Sequence, residues 1–249
     1  AALCNAEGGR IVRAEVSNAH IGTCLSCSEI VPFTEKEEDL FAAKRADSLL
    51  NRLFIEPALG RGYPEDVKFP FLEKLHLHTK AWKCKERMQF NFDFIGIQNY
   101  FSPTVKYNPL IPYLHASEVK ASYRKVPHTA LGWEINAESF YRMIKRFWHY
   151  GGVKEIIITE GGAAFKDHLY KGKIEDVERI DYFKQYITAV LKAKKDGVNV
   201  NGYFAWTLTD NFEWSQGFEA KFGLTHVDIK TQSRTIKDSG YWFRDFLRS

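Results

Sequence analysis

The chain of 249 residues contains 45% hydrophobic and 15% aromatic residues, which is enough to bury a core and excludes a disordered or fibrous protein. Its 35 basic and 31 acidic residues give a net charge of +4 and are spread along the chain, so no basic block indicates binding to nucleic acid. Four cysteines are too few for a disulfide scaffold, and no apolar run is long enough to span a membrane. We therefore expect a soluble, cytoplasmic protein that binds neither nucleic acid nor membranes. The chain begins at Ala1 rather than Met, which fits a processed chain or a piece of a longer one.

Four short segments are rich in β-forming residues and nearly continuous in apolar character. This pattern is typical of parallel strands that are covered on both faces. The four segments are residues 20–28, 92–101, 153–159 and 202–209.

Helical patterns lie between these segments. Thr34 and Glu37 have the spacing of a capping box, ahead of a predicted helix that runs through Leu40, Ala43 and Leu50. Two more segments place apolar residues at helical spacing, and Gly197 is predicted to end the second of them. The first contains Phe140, Ile144, Phe147 and Trp148, and the second contains Ile180, Phe183, Ile187, Val190 and Leu191. A last amphipathic stretch covers residues 241–247.

The alternation of strands and helices predicts an α/β fold with a parallel sheet. With no repeat or linker in the sequence, we expect one domain over residues 1–249 with four βα units. Two insertions, at residues 56–87 and 102–131, are too long for simple connectors. A closed (β/α)₈ barrel needs about 250 residues, so the length permits one, but the strand count does not.

Glu160 is the leading candidate for catalysis. It follows the apolar run 156–159 and precedes two glycines, a position that corresponds to the carboxyl end of a buried strand, where α/β barrels hold their active sites. A Glu before two glycines is by itself more typical of a turn or a helix cap. Glycoside cleavage gives a reason to hold a carboxylate at a strand end, since one carboxylate attacks the sugar while a protonated partner about 5 Å away protonates the leaving oxygen. The sequence offers no second carboxyl for that role.

A second group of candidates follows the last predicted strand. Trp206, Glu213 and Trp214 combine an acid with aromatic rings, and sugars present hydroxyls to carboxylates and flat C–H faces to rings. The alternative is a set of core tryptophans with a surface acid.

Several motifs in the same order resemble the C-terminal half of glycoside hydrolase family 1, the β-glucosidase-like retaining enzymes, over essentially the whole chain. They are Asn51-Arg52-Leu53-Phe54, Gly62-Tyr63-Pro64, Asp93-Phe94-Ile95-Gly96-Ile97, Tyr100, Gly132-Trp133-Glu134, Ile158-Thr159-Glu160 and the stretch from Gly202 through Asp228. The resemblance implies strands five to eight of a (β/α)₈ TIM barrel with outer helices.

The resemblance also implies roles. Glu160 matches the catalytic nucleophile, and Tyr100 matches the tyrosine whose hydroxyl steadies it. Glu213 and Trp214 match residues that hold the hydroxyls of the nonreducing sugar, Trp206 matches the aromatic floor beneath that sugar, and Phe222 matches a neighbouring wall residue. No metal or organic cofactor is implied, and the implied substrates are β-glycosides or oligosaccharides.

Two residues near the candidate site depart from the family pattern. Gly161 stands where Asn usually follows the nucleophile, and Gln98 replaces an Asn two residues before the tyrosine. Gln98 is therefore included among the expected substrate-binding residues, where it is able to shift the sugar preference.

The larger departure is that the first four units, which carry the general acid/base Glu of the family, are not in this sequence. The Glu56-Pro57 pair belongs to the motif after strand five, and we do not expect it to replace that acid.

Two weaker patterns are predicted to have no catalytic role. Cys24 and Cys27 form a C-x-x-C at a strand end, where positions i and i+3 face opposite sides, so we expect core or loop thiols. His76 and His78 lack a nearby acid or Cys at ligand spacing, and we expect a solvated loop there.

Three hypotheses remain open. The chain is the nucleophile half of a β-glycosidase, completed by a second chain that carries the N-terminal half-barrel. It is a non-catalytic carbohydrate-binding or interaction module. Or it self-associates, so that two copies form an eight-stranded barrel, which symmetry permits.

Overall fold

The computed structural model describes residues 1–67 and 85–249. In chain order its strands are β1 (Gly22–Ser26), β2 (Val31–Pro32), β3 (Phe94–Gln98), β4 (Thr104–Tyr107), β5 (Ala116–Glu118), β6 (Ile156–Gly161), β7 (Leu169–Tyr170), β8 (Lys173–Ile174), β9 (Val200–Ala205), β10 (Thr225–Val227) and β11 (Arg234–Ile236). Its α-helices are α1 (Ala2–Glu15), α2 (Glu37–Asp47), α3 (Leu53–Ala58), α4 (Lys85–Met88), α5 (Ala121–Arg124), α6 (Ala137–Trp148), α7 (Val177–Lys195) and α8 (Asp238–Phe246).

The central sheet contains four parallel strands in the order β1-β3-β6-β9. Each of the four is followed in the chain by at least one helix, so the predicted α/β fold with parallel strands and outer helices is confirmed. The outer residues of the predicted segments 20–28 and 92–101 are not part of β1 and β3, whereas β6 and β9 are shifted relative to the predicted segments 153–159 and 202–209.

The core lies between this sheet and the helices α6, α7 and α8. Ile97 of β3 and Ile158 of β6 are fully buried, together with Phe140 and Phe147 of α6 and Phe183 of α7. These helices lie where the apolar spacing predicted them. Asn136 caps α6 by accepting a hydrogen bond from the Ser139 amide at 3.0 Å, and Gly197, at φ +89°, follows the end of α7.

Burial on both faces was predicted for all four strands and is wrong for the outer two. Along β1 and β9 buried and exposed positions alternate or mix, and Phe204 is 61% exposed. Tyr203 packs against Phe183 of α7, so Phe204 lies on the opposite face of β9. Among the described residues no helix covers that face.

The capping box predicted at Thr34 and Glu37 is also wrong. Helix α2 begins after Lys36, and the Thr34 hydroxyl donates instead to the Asp39 carboxylate at 2.6 Å. Leu40 and Leu50 are exposed, because small residues, not leucines, form the buried side of α2. Leu50 itself lies in a π-helical turn, Ser48–Arg52, that joins α2 to α3.

Several elements were not predicted from the sequence. Helix α1 precedes the first strand, and the second insertion contains β4 and β5, which form a small sheet with β2. The first predicted insertion begins inside helix α3. His76 and His78 lie outside the described residues. Among the described helices, none is long and apolar enough to cross a membrane.

Candidate active site

The site begins with an irregularity between the two central strands. Ile97 pairs with Ile158, but Gln98 pairs with Glu160, so the register skips Thr159. Such a bulge redirects a side chain at a strand end. Here it places Gln98 and Glu160 side by side at the carboxyl end of the sheet, which is where α/β barrels hold their chemistry.

Both oxygens of the Glu160 carboxylate accept hydrogen bonds from neutral groups. The Gln98 side-chain amide donates to Oε1 at 2.8 Å, and the Tyr100 hydroxyl donates to Oε2. A half-buried carboxylate needs such donors in place of water. The structure thus brings together three of the residues that the sequence predicted for the site.

Tyr100 is held in its neutral, donating form. Burial raises its pKa well above the usual range, and the charges of Glu160 and then Glu213 raise it further.

An aromatic surface adjoins the carboxylate. Phe222 is buried in contact with Ala164 and Ala220, and Tyr100, Trp133 and Trp206 pack against this group. The Tyr100 ring meets the Phe222 ring edge-on at 5.9 Å between centroids. Trp133 contacts both rings and stacks on Phe101; it lies in one of the motifs that the sequence singled out, but no role was predicted for it.

Two loops carry part of this surface, namely Ala164, Trp206, Ala220 and Phe222. We call residues 162–168 the β6 loop and residues 206–223 the β9 loop. Their first residues lie close together: the Trp206 amide donates to the carbonyl of Gly161, the last residue of β6, at 2.9 Å. A Cβ atom on Gly162 would lie 1.9 Å from the Trp206 carbonyl oxygen, so only glycine fits there.

Glu213 and Trp214 lie at a tight turn of the β9 loop. The Glu213 amide donates to the Gly217 carbonyl at 2.7 Å, and Trp214, which is 82% exposed, begins a short 3₁₀ helix. A large ring left this open to solvent is available to contact a ligand.

One group of side chains has the donors of a metal site. Ligand atoms of Asp167, Asp210 and His226 lie within 4.8 Å of one another. The ammonium group of Lys237 already lies between the two carboxylates, 2.5 Å from Asp167 and 3.0 Å from Asp210. These acids are therefore matched to a cation that the chain itself supplies.

Glu56 and the C-x-x-C motif lie among structural contacts. The Glu56 carboxylate is 2.6 Å from Arg52 Nε and accepts from the Tyr150 hydroxyl at 3.3 Å. Cys24 is exposed and Cys27 is buried, and burial raises the pKa of the Cys27 thiol far above the reactive range.

Fold and site together define a class: a section of a parallel α/β barrel with a hydrogen-bonded carboxylate and an aromatic surface at the carboxyl ends of its strands. The family model for glycosyl hydrolase family 1 matches residues 1–249. The chain is 36% identical over 247 residues to a 1,4-beta-D-glucan glucohydrolase of Thermotoga neapolitana, covering 98% of this chain and 54% of that protein. It is also 36% identical over 251 residues to beta-glucosidase A of Acetivibrio thermocellus, covering 99% of this chain and 55% of that one.

Solved structures agree. The family 1 β-glucosidase from Thermotoga maritima matches with a TM-score of 0.90 at 36% identity, over 98% of this chain and 54% of that one. The AHE enzyme from Alicyclobacillus herbarius matches with a TM-score of 0.92 at 31% identity, over 99% of this chain and 55% of that one. The chain therefore belongs to glycosyl hydrolase family 1. It spans about half the length of the relatives it matches, and the predicted C-terminal half of a TIM barrel is confirmed.

Proposed function

We propose that the chain supplies the nucleophile and part of the sugar subsite of a retaining β-glycosidase that hydrolyses β-glycosides in the manner of a β-glucosidase. The observation that carries the proposal is the carboxylate of Glu160, presented at the carboxyl end of β6 with Gln98 and Tyr100 on its two oxygens. The names of its β-glucosidase relatives support it.

In the proposed reaction the Glu160 carboxylate attacks the anomeric carbon, and the bond from that carbon to the leaving oxygen breaks. An acid carboxyl gives its proton to that oxygen, and water later hydrolyses the glycosyl ester with the same group acting as base. Tyr100 and Gln98 orient the attacking carboxylate. Glu213, Trp214, Trp206 and Phe222 hold the sugar.

The acid carboxyl comes from outside these 249 residues, on a complementary half-barrel. Among the described residues, β1 and β9 each pair on one side only within the central sheet, and Phe204 and Leu208 are 61% and 71% exposed. Unpaired strand edges beside apolar side chains favour association. The partner that pairs with these edges is a second chain that carries the N-terminal half. The competing case is a second copy of this chain.

A mechanism-based label tests the nucleophile without the acid. A 2-deoxy-2-fluoro-β-glucoside with a dinitrophenolate leaving group needs little protonation and forms a slowly hydrolysed glycosyl ester. Mass spectrometry of the full chain is expected to find one label on Glu160. Glu160→Gln is expected to abolish labelling, whereas Glu213→Gln, the matched control, should weaken sugar binding and leave the labelled position unchanged.

A non-catalytic carbohydrate-binding module is the second candidate, favoured by the exposed ring of Trp214. The same experiment separates the two. Binding of glucosides that is lost in Trp214→Ala, without any label on Glu160, would establish the module and refute the nucleophile.

Mixing experiments test the partner. The chain combined with the N-terminal half of the Thermotoga neapolitana relative is expected to hydrolyse alkyl glucosides, whose poor leaving groups require the acid, while either half alone does not. Sedimentation of this chain alone as a dimer, with no gain on mixing, would support self-association instead.

A further inference from the structure

A cluster of buried charges lies behind the candidate site. It consists of Arg179, Lys237, Asp167, Asp176 and Asp210, and we call it the ion cluster. Their side chains are between 0% and 3% exposed. Charges buried this deeply persist only when they are paired and fully hydrogen-bonded.

The cluster joins segments that are far apart in sequence. Lys237, the residue before helix α8, places its ammonium group 2.5 Å from Asp167 of the β6 loop and 3.0 Å from Asp210 of the β9 loop. One cation therefore bridges the loop that follows Glu160 and the loop that carries Glu213 and Trp214.

Arg179, near the start of α7, makes a second bridge between the same two loops. Its guanidinium donates to the Ala163 carbonyl at 3.3 Å and to the Lys221 carbonyl, next to Phe222, at 2.6 Å. It also contacts the carboxylates of Asp167 at 3.2 Å and of Asp176.

Asp210 connects the ion cluster to the end of the β9 loop. Its carboxylate accepts from the Gly223 amide at 2.8 Å as well as from Lys237. A Cβ atom on Gly223 would lie 2.3 Å from the Asp210 backbone nitrogen, so the two backbone segments touch directly. Displacement of Asp210 would move Phe222 with it.

We infer that Lys237, together with Arg179, is a positioning residue that locks the β6 loop to the β9 loop and so sets the place of Glu160 relative to the sugar-holding residues. The link between the loops is independent of the activity; its role in glycoside cleavage rests on the proposed function. Catalytic sites lose rate steeply when their groups are misplaced by about 1 Å.

Hydrogen exchange of the full chain tests the link without any substrate. In Lys237→Met, amides of the β6 and β9 loops are expected to exchange at least about tenfold faster, while β3 and β6 stay protected. Arg146→Met is the matched control, because it removes a bidentate ion pair to Asp47 that contacts neither loop. Unchanged exchange in both loops would overturn the inference.

A charge-balanced variant covers the case in which Lys237→Met does not fold. Lys237→Met combined with Asp167→Asn removes one charge of each sign, and it is expected to fold with the β9 loop still exchanging faster. Normal exchange in this double variant would show that the cluster needs only charge balance. Unfolding of both variants would assign the cluster to the stability of the whole chain, and either result refutes the inference.

Fluoroglycoside labelling then tests the positioning role. In Lys237→Met protein shown to be folded, the rate of labelling at Glu160 at saturating glycoside is expected to fall by at least about tenfold. The glycoside concentration that gives half of this rate is expected to rise. Arg146→Met should change neither. Normal labelling in folded Lys237→Met would refute the positioning role, whereas absence of labelling in the unaltered chain would refute the proposed function and leave the exchange result standing.

Discussion

Within residues 1–67 and 85–249, the groups that hydrogen-bond Glu160 at the end of β6 are an amide and a phenol rather than Arg or Lys. The difference matters, because a paired cation would neutralise the carboxylate and reduce its tendency to attack an electrophilic carbon. Neutral donors orient the carboxylate and leave more of its negative charge unneutralised than a cation does. The bond from Gln98 exists because the register skips Thr159.

Gln98→Asn shortens the side chain by one methylene group and is expected to break the 2.8 Å bond to Glu160. Hydrogen bonds to charged groups contribute about 1.5–3 kcal/mol, so the rate of labelling by the fluoroglycoside should fall by about 10- to 100-fold. Gln98→Leu should behave like Gln98→Asn, and Tyr100→Phe tests the other oxygen. A labelling rate within a factor of about two of the unaltered chain would show that this amide does not orient Glu160.

Gly162→Ala is expected to destabilise the chain by about 3 kcal/mol or more, because its Cβ would meet the Trp206 carbonyl oxygen at 1.9 Å and backbone has to move. Gly8→Ala is the matched control, since a Cβ there has nothing within 4 Å. Because it replaces a glycine inside a helix, it is expected to raise the free energy of unfolding by about 0.5–1 kcal/mol. Urea unfolding of both variants measures the difference. Equal stabilities would mean that the β6 and β9 loops separate easily.

At the scale of elements, the caps of α6 and α2 differ in how far along the chain their hydrogen-bond partners lie, and the sequence predicted neither correctly. Asn136 caps α6 with its own side chain. Thr34 satisfied the spacing of a capping box, but its hydroxyl bonds to Asp39, whose carboxylate also accepts from the Tyr107 amide at 2.7 Å. That contact with the β4 strand is non-local, and it competes with the local cap that the motif predicts.

Asn136→Ala is expected to lower the free energy of unfolding by about 1 kcal/mol, the usual value of a lost N-cap. Asn136→Ser keeps an acceptor for the Ser139 amide and should lose less. Thermal or urea unfolding of the two variants provides the measurement. If both lose the same amount, the bond from Asn136 to Glu134, at 3.3 Å, is the more important one.

At the scale of the whole molecule, a group of buried phenols supports the sheet. Burial raises the pKa of Tyr182 and of Tyr203, and it raises the pKa of Tyr186 to about 12. Tyr182 and Tyr186, both on α7, stack with 4.0 Å between their ring centroids and belong to the core cluster under the sheet. These groups are stable only as neutral phenols.

Alkaline pH is therefore expected to destabilise the chain. An unfolded phenol titrates near pH 10, so as the pH rises the unfolded state loses these protons first. The stabilisation is complete below about pH 10 and is lost as the pH rises through the folded-state value, which for Tyr186 is about 12. Urea unfolding at about pH 9 and about pH 11 measures the loss, and Tyr182→Phe should reduce it. Equal stability at both pH values would contradict the expectation.

The sequence by itself determined the four βα units, the family and the strand-end position of Glu160, because each depends on contiguous residues: apolar runs, helical spacing and motifs. The contact between Tyr100 and Glu160, sixty residues apart, was implied by the family resemblance, and the structure contains the hydrogen bond. Only the tertiary structure decided the bulge that aligns Gln98 with Glu160, the exposure of the β9 face that carries Phe204, and the ion cluster around Lys237. These features depend on strand register and on pairing between residues that lie far apart in the chain, and no local pattern of amino acids encodes either.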